Sequence, residues 1–314
     1  MLFFAKQKQK DTWFALVGSP EGVCATLVRR SSGRKPEVLT CVTQRASLAD
    51  PAGLEKLTRD LELERYPCTT LLQPGEYQLL PVEAPKVPAD ELITAVRWRI
   101  KDLLDYPVDN ATVDMLDIPS EKYAPHRPHM VYAVAASNDV IRRRSAVFEQ
   151  AGIPLSAIDI PDLAQRNIAA LLEQNGTGVA MLSFNGSGGM LTVTFGGELY
   201  LARHIDVTAA RLLEADPEQR QQLFGRIELE VLRSLDYCER QLPFIPLKRL
   251  VIAPLAKPIG LPEYLSEHVE RPVEALNLRE LFDFSKVPEL RHAVLQARCF
   301  LALGAALRLE EKLP

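Results

Sequence analysis

The strongest constraint on this chain is an echo: a hairpin-led run of strands near its start returns near residue 179. In the first copy, residues 12–29 alternate as a strand, a turn at Gly18-Ser19-Pro20-Glu21-Gly22 and a second strand. The polar stretch Ser31–Pro36 then leads into a third strand over Val38–Thr43. In the second copy, a strand over 179–184 meets a Gly-rich turn at 185–189, and a strand over 190–195 follows. The tight turn Gly196-Gly197 opens a last strand over 198–203. Two such α/β units predict duplicated lobes around a cleft. A length of 314 residues suits two domains or one two-lobed unit, at roughly 100–200 residues per domain.

Between the copies, Leu54, Leu57 and Leu61 have helical spacing over Pro51–Leu63, and Cys68–Leu72 reads as a buried strand. Tyr77–Pro81 is a further short strand. Proline density rises from Pro74 to Pro88, which marks a boundary. Beyond it, Ala89–Leu104 is a helix with Leu92, Val96, Ile100 and Leu103/Leu104 on one face. Strands at Ala111–Ile118 and Met130–Ala136 follow, then a helix from Asn138 or Asp139 to the Ala151-Gly152 stop. A short strand at Ile158–Ile160 leads through Pro161 into a helix at Asp162–Glu173. Later elements are a long helix at Gln221–Leu242, a core strand at Leu250–Ala253 and a final helix over about Pro288–Glu311, buried on most sides. The expected division is 1–88 for the opening part of the first lobe, 89–153 for an inserted α/β subdomain and 154–177 for the return to that lobe. Residues 178–287 form the second lobe and 288–314 a C-terminal helix. The insertion is expected to pack on the first lobe, apart from the cleft.

Composition excludes several classes. Lys+Arg number 37 against 41 Asp+Glu, a net charge of -4, which argues against a nucleic-acid binder. Hydrophobic residues at 47% and charged residues at 25% exclude disorder for most of the chain. The longest apolar run, Cys299–Leu307, falls far short of the roughly 18–20 residues that span a bilayer. The start, Met-Leu-Phe-Phe-Ala-Lys, lacks the pattern of a secretory signal. The expectation is a soluble cytoplasmic protein, with Phe3, Phe4, Lys6, Lys8 and Lys10 adding at most weak contact with an anionic membrane. Five cysteines (Cys24, Cys41, Cys68, Cys238, Cys299) are an odd number without a CxxC pair, neither a disulfide framework nor a zinc site by spacing.

Few motifs carry chemistry. Gly186-Ser187-Gly188-Gly189 is Gly-rich, but a P-loop needs a helix after it and the apolar Met190–Phe195 is a strand. Turn amides of a hairpin can still cradle phosphate; a permissive Gly-rich hairpin is the plainer reading. His126 and His129 sit in a Pro-rich loop without a third ligand at a suitable spacing. Arg142-Arg143-Arg144 fan around a helix and read as a solvated face rather than an anion patch. Asp114, Asp117, Asp159 and Asp162 recur near Ile-Pro turns, where strand ends and helix caps use Asp. No Gly-x-Ser-x-Gly elbow or HExxH is present.

Several strings carry a resemblance. Glu91-Leu-Ile-Thr-Ala-Val-Arg-Trp-Arg-Ile-Lys-Asp-Leu-Leu, Val113-Asp-Met-Leu-Asp-Ile and Ala157-Ile-Asp-Ile-Pro-Asp-Leu-Ala-Gln-Arg resemble the PilM family of bacterial pilus-assembly proteins. Glu230-Val-Leu-Arg-Ser-Leu-Asp-Tyr and Phe300-Leu-Ala-Leu-Gly-Ala-Ala-Leu-Arg do so too, and the whole is most similar to the branch serving mannose-sensitive haemagglutinin (MSHA) pili. The resemblance implies an α/β, actin-like (ribonuclease H-like) two-lobed fold related to FtsA, with an inserted small subdomain. It also implies a cytoplasmic scaffold at the inner membrane. Its expected partners are the N-terminal cytoplasmic tail of a PilN-like bitopic membrane protein and other components of the pilus assembly platform.

Actin-like ATPases carry three nucleotide motifs. Where the first has Asp-Ile-Gly, this chain has Leu16-Val17-Gly18, keeping the glycine and losing the carboxylate. Where the second has Asp-Ile-Gly, it has Ser183-Phe184-Asn185 ahead of the Gly186–Gly189 turn. The third, a Gly-Gly-Gly run, reads Ala253-Pro254-Leu255, whose side chains and fixed proline φ obstruct the approach of adenosine. The expectation is a non-catalytic member without an ATP or magnesium cofactor. The alternative is an ATP-binding protein that uses Gly18, Gly186, Ser187, Gly188 and Gly189. A sugar-kinase-like enzyme on the same fold needs a catalytic Asp that Leu16 and Ser183 do not supply.

Overall fold

The computed structural model describes residues 11–309, except residues 20, 63–64, 120–125, 127 and 175. Strands β1 (Thr12–Ser19), β2 (Gly22–Arg29) and β3 (Glu37–Gln44) form an antiparallel meander, with Gly18 opposite Val23 and Ser19 opposite Gly22 at the first turn. Helix α1 (Pro51–Leu61) crosses to β4 (Cys68–Leu71), which pairs parallel to β1. The fifth strand of this sheet, β8 (Leu155–Asp159), pairs parallel to β4, giving the order β3-β2-β1-β4-β8. The second sheet repeats that plan. Strands β9 (Gly178–Phe184), β10 (Gly189–Phe195) and β11 (Glu198–Ile205) form the meander, and β12 (Leu247–Ile252) and β13 (Val273–Ala275) are the parallel additions, in the order β11-β10-β9-β12-β13. Both β9 and β10 are buried along their whole length. Strand β9 reads accordingly as a near-continuous apolar run, while in β10 Thr192 and Thr194, both buried, alternate with Leu191, Val193 and Phe195.

Each sheet is covered by helices on both faces. The outer face of the first sheet packs under α1 and α3 (Asn138–Gln150), whose Phe148 is fully buried among Phe14, Leu16, Leu54 and Leu57. The outer face of the second sheet packs under α6 (Pro217–Gln241) and α7 (Leu261–His268). Between the sheets lie α4 (Pro161–Leu172) and α9 (Ala293–Ala306), and they are exchanged. Helix α4 follows the first sheet yet lies on β9, β10 and β11, whereas α9 follows the second sheet and lies on β1, β2 and β4. They cross so closely that a Cβ at Gly304 would come 2.1 Å from the Ala164 carbonyl oxygen, and Asn167 Nδ2 donates to the Gly304 carbonyl at 2.9 Å.

Several elements depart from expectation. Helix α2 (Ala89–Arg99) stops short, a 3-10 turn follows over Lys101–Leu103, and Leu103 therefore turns outward and is 53% exposed. The C-terminal segment divides into a 3-10 turn at Pro288–Arg291 and α9. Three short elements escape the periodicity altogether: α5 (Ala209–Glu214), α8 (Leu278–Leu281) and the three-residue β13. Strand β5 (Tyr77–Glu83) does not belong with the first sheet. It pairs antiparallel to β7 (Met130–Ser137), which also pairs β6 (Ala111–Ile118), in a three-stranded sheet β5-β7-β6. One face of that sheet takes up Val96 of α2 and Ile100 just beyond it. The other packs on the second lobe as well as on α3: Tyr132 Oη donates to the Tyr200 carbonyl and Tyr200 Oη to the Pro119 carbonyl, both at 3.2 Å. Among the described residues, no helix is long and apolar enough to cross a membrane.

Candidate functional site

The turns singled out in the sequence meet where the lobes face each other. Gly18 and Ser19, Ser183 to Ser187, and Ala253-Pro254 enclose a cavity of about 70 Å³ with Arg298 and Phe300 of α9. Small-molecule pockets usually run to roughly 300–1,000 Å³. The polar groups around the cavity are engaged by the protein itself. Asn185 Oδ1 accepts from the Ser187 N–H at 2.7 Å and from the Gly188 N–H at 3.2 Å. A carboxamide oxygen thus fills the concavity of amides that would otherwise suit an anion. Gly188, at φ +151°, has no room for a side chain, because a Cβ would lie 2.5 Å from the His204 ring. The Gly189 position is closed in the same way by Phe184, at 2.7 Å.

Leu16 and Ser183 also turn inward. Leu16 is fully buried in the core beneath α1. Ser183 Oγ donates to Gln165 Oε1, while Gln165 Nε2 donates to the Met181 carbonyl at 2.8 Å and to Thr192 Oγ1 at 2.9 Å. This buried knot ties α4 to the second hairpin and leaves Ser183 committed there. Gly18 keeps its place at the turn; its carbonyl accepts from Gln73 Nε2 at 3.2 Å.

A second, open groove of about 1320 Å³ runs from the same turn across the first lobe. Its walls are the β1–β2 turn, residues 43–50 after β3, and Val140, Arg143, Arg144 and Val147 of α3. Of residues 89–153, α3, whose start the β7 strand delivers to the first sheet, lines this groove, and none lines the cavity between the lobes. Arg298 and Ser187 close the end nearest the second lobe, and Arg298 Nε lies 2.6 Å from Glu21 Oε2. The wall carries both signs, with Arg45, Arg143 and Arg144 facing Glu21, Asp50 and Glu76.

No protein family's model matches the chain, and no curated protein matches it. Solved structures do. A chain of a PilM-PilN type IV pilus biogenesis complex superposes with a TM-score of 0.71 at 20% identity, covering 94% of this chain and 97% of that one. A Bacteroides thetaiotaomicron protein of unknown function with an actin-like ATPase fold superposes at 0.50 and 12% identity, covering 90% of this chain and 96% of that one. The fold is actin-like.

Within that actin-like frame, the remaining candidates find separate places. The arginine run splits by helical position: Arg142 pairs with Asp139 at 2.6 Å in solvent, and Arg143 faces the groove. Arg144 is largely buried, donating to the Leu71 carbonyl at 2.7 Å and to Glu76 Oε2 at 2.8 Å. It anchors α3 to the end of β4, so the solvated-face reading fails at that one position. Asp159 and Asp162 are buried, and neither caps a helix in the expected way. Asp159 Oδ2 accepts from Arg308 across the chain, and Asp162 Oδ2 accepts from Tyr77 Oη at 2.5 Å. His129 pairs with Asp117, and His126 is exposed. The Phe3–Lys10 tail lies outside the described residues. Sequence reasoning missed one cluster: Cys24, Cys41 and Cys299, from β2, β3 and α9, bring their sulfurs within 4.8 Å of one another.

Proposed function

We propose that this chain is a non-catalytic actin-like scaffold of a type IV pilus assembly platform, of the MshI type that serves MSHA pili. It would work at the cytoplasmic face of the inner membrane, held there by the N-terminal cytoplasmic tail of a PilN-like membrane protein. The observation that carries this reading is the likeness, over nearly the full length of both chains, to a member of a PilM-PilN complex. The strings around Trp98 and Glu230–Tyr237 support the same family. For the tail, the open groove beside α3 is the better seat than the 70 Å³ cavity. An extended peptide there gains main-chain hydrogen bonds and places alternate side chains against the Val140–Val147 wall.

The non-catalytic part rests on the cleft. A nucleotide would have to enlarge the cavity, displace Asn185 Oδ1 from the turn amides and bind magnesium without a carboxylate at positions 16 or 183. Two titrations of the purified chain test both parts. A synthetic peptide of the PilN-like partner's cytoplasmic tail is expected to bind, and Arg143→Glu to weaken it at least tenfold. ATP with magnesium is expected to give no heat and no turnover. Absence of peptide binding sinks the scaffold reading; turnover that disappears in Ser187→Asp, at an exposed position of the turn, establishes the ATP-binding alternative instead. In cells, deleting the partner is expected to release the protein from the membrane fraction, and deleting this chain to abolish MSHA pili alone.

A further inference from the structure

The three-cysteine cluster has its own geometry, with Cys24 reaching the wall of the groove. Strands β2 and β3 pair with Cys24 opposite Thr43 and Thr26 opposite Cys41. Cys24 and Cys41 are therefore diagonal neighbours on one face, which is the face covered by α9. Cys299 comes down from that helix, and the three Sγ atoms lie within 4.8 Å of one another. Thr26 Oγ1 sits 3.5 Å from both strand sulfurs, donating to Cys41. Cys24 and Cys299 are buried, whereas Cys41 is only half-buried and leaves the cluster a way out to solvent. All three thiols are free.

A single buried cysteine behaves as a small apolar residue. Three from three separate elements, converging sulfur to sulfur, make a donor set. At a metal–sulfur distance of about 2.3 Å, a trigonal ion needs sulfurs about 4.0 Å apart, which lies inside the observed limit. Among the described residues no carboxylate or imidazole joins the group. An all-sulfur set of three selects soft cations, whereas structural zinc nearly always takes a fourth ligand.

We propose that Cys24, Cys41 and Cys299 form a trigonal three-thiolate site for a soft monovalent cation of the Cu(I) class, tying the C-terminal helix to the first hairpin. Binding exchanges thiol protons for the ion, so protons leave as the ion binds. Titration of the reduced full-length chain with Cu(I) under argon, against a chromophoric chelator, tests it. The expected result is one ion per chain, a thiolate-to-metal charge-transfer band and a raised Tm. Cys41→Ser, at the half-buried position least able to disturb folding, is expected to lower affinity at least tenfold and to abolish the Tm shift. Cys24→Ala repeats the test, and Cys238→Ala, on α6, is expected to leave binding intact. Binding unchanged in both Cys41→Ser and Cys24→Ala overturns the site. So does a reduced chain that holds no Cu(I), or one that takes Zn(II) in preference.

Discussion

Asp162 shows how one buried carboxylate shapes the junction of the insertion with the lobes. It opens α4, and burial, partly offset by the Tyr77 hydrogen bond, raises its pKa above the ordinary carboxylate range. A carboxyl whose pKa is raised in the fold takes up a proton more readily folded than unfolded. Its contribution is therefore fully present below the ordinary value and lost as pH climbs through the raised one. Asp162→Asn keeps an oxygen acceptor for Tyr77 without the buried charge. The variant is expected to gain stability relative to the natural chain as pH rises from about 4 to about 7, read from urea midpoints at both ends of that window. A difference that shrinks as pH rises would contradict the assignment. Elsewhere at this scale, Asn185 against the turn amides and Gln165 against Ser183 show polar side chains committed to the protein's own hydrogen bonds.

At the scale of elements, the α4–α9 crossing sets the spacing between the sheets. Glycine near the end of a helix is ordinarily a weakness, and replacing it with alanine gains up to about 1 kcal/mol in helix propensity. At Gly304 the opposite sign is expected. A methyl group would press 2.1 Å from the Ala164 carbonyl and force the helices apart. Overpacking of this kind costs about 1–3 kcal/mol, which outweighs the propensity gain. Gly304→Ala is expected to lower stability by about that amount in chemical denaturation, and a stabilised variant would show that the helices do not cross this closely. The inserted sheet belongs to this scale too. Its Tyr132–Tyr200 contact with β11 and the seating of α3 on the first sheet make it a clamp across both lobes.

For the whole molecule, the exchange of α4 and α9 makes the lobes interdependent. A fragment spanning residues 11–174 would keep β1–β4, β8 and α4 but lose α9, uncovering Cys24, Val28 and Val38. It would also leave α4 without the β9–β11 surface on which it rests. That fragment is expected to bind hydrophobic dyes and to lack a cooperative transition, while the full chain unfolds in one step by circular dichroism and by fluorescence. A fragment that melts cooperatively on its own would refute the interdependence. Arg308, which reaches from beyond α9 to Asp159 at the end of β8, adds a polar tie between the last turn and the first sheet.

The repeated hairpins, the helix at Ala89 and the burial of α9 were legible in the residues, because apolar period and turn glycines act locally. The actin-like plan was legible too, through the echo at residues 12 and 179 and through strings such as the one around Trp98. Partner choice was not. Strand β5 has an ordinary strand pattern, and nothing local distinguishes pairing with the first sheet from pairing with β7, whose Ala136 lies opposite Tyr77. Likewise α3 turns toward the groove because of where β7 delivers it, not because of its own pattern. The cysteines make the same point most sharply. Cys24 and Cys41 lie on one face only once the β2–β3 register is set, and Cys299 joins them only after α9 has crossed back from the second lobe. Local sequence decides which elements form; long-range packing entropy and shape decide which residues meet, and the chemistry of this protein lies in those meetings.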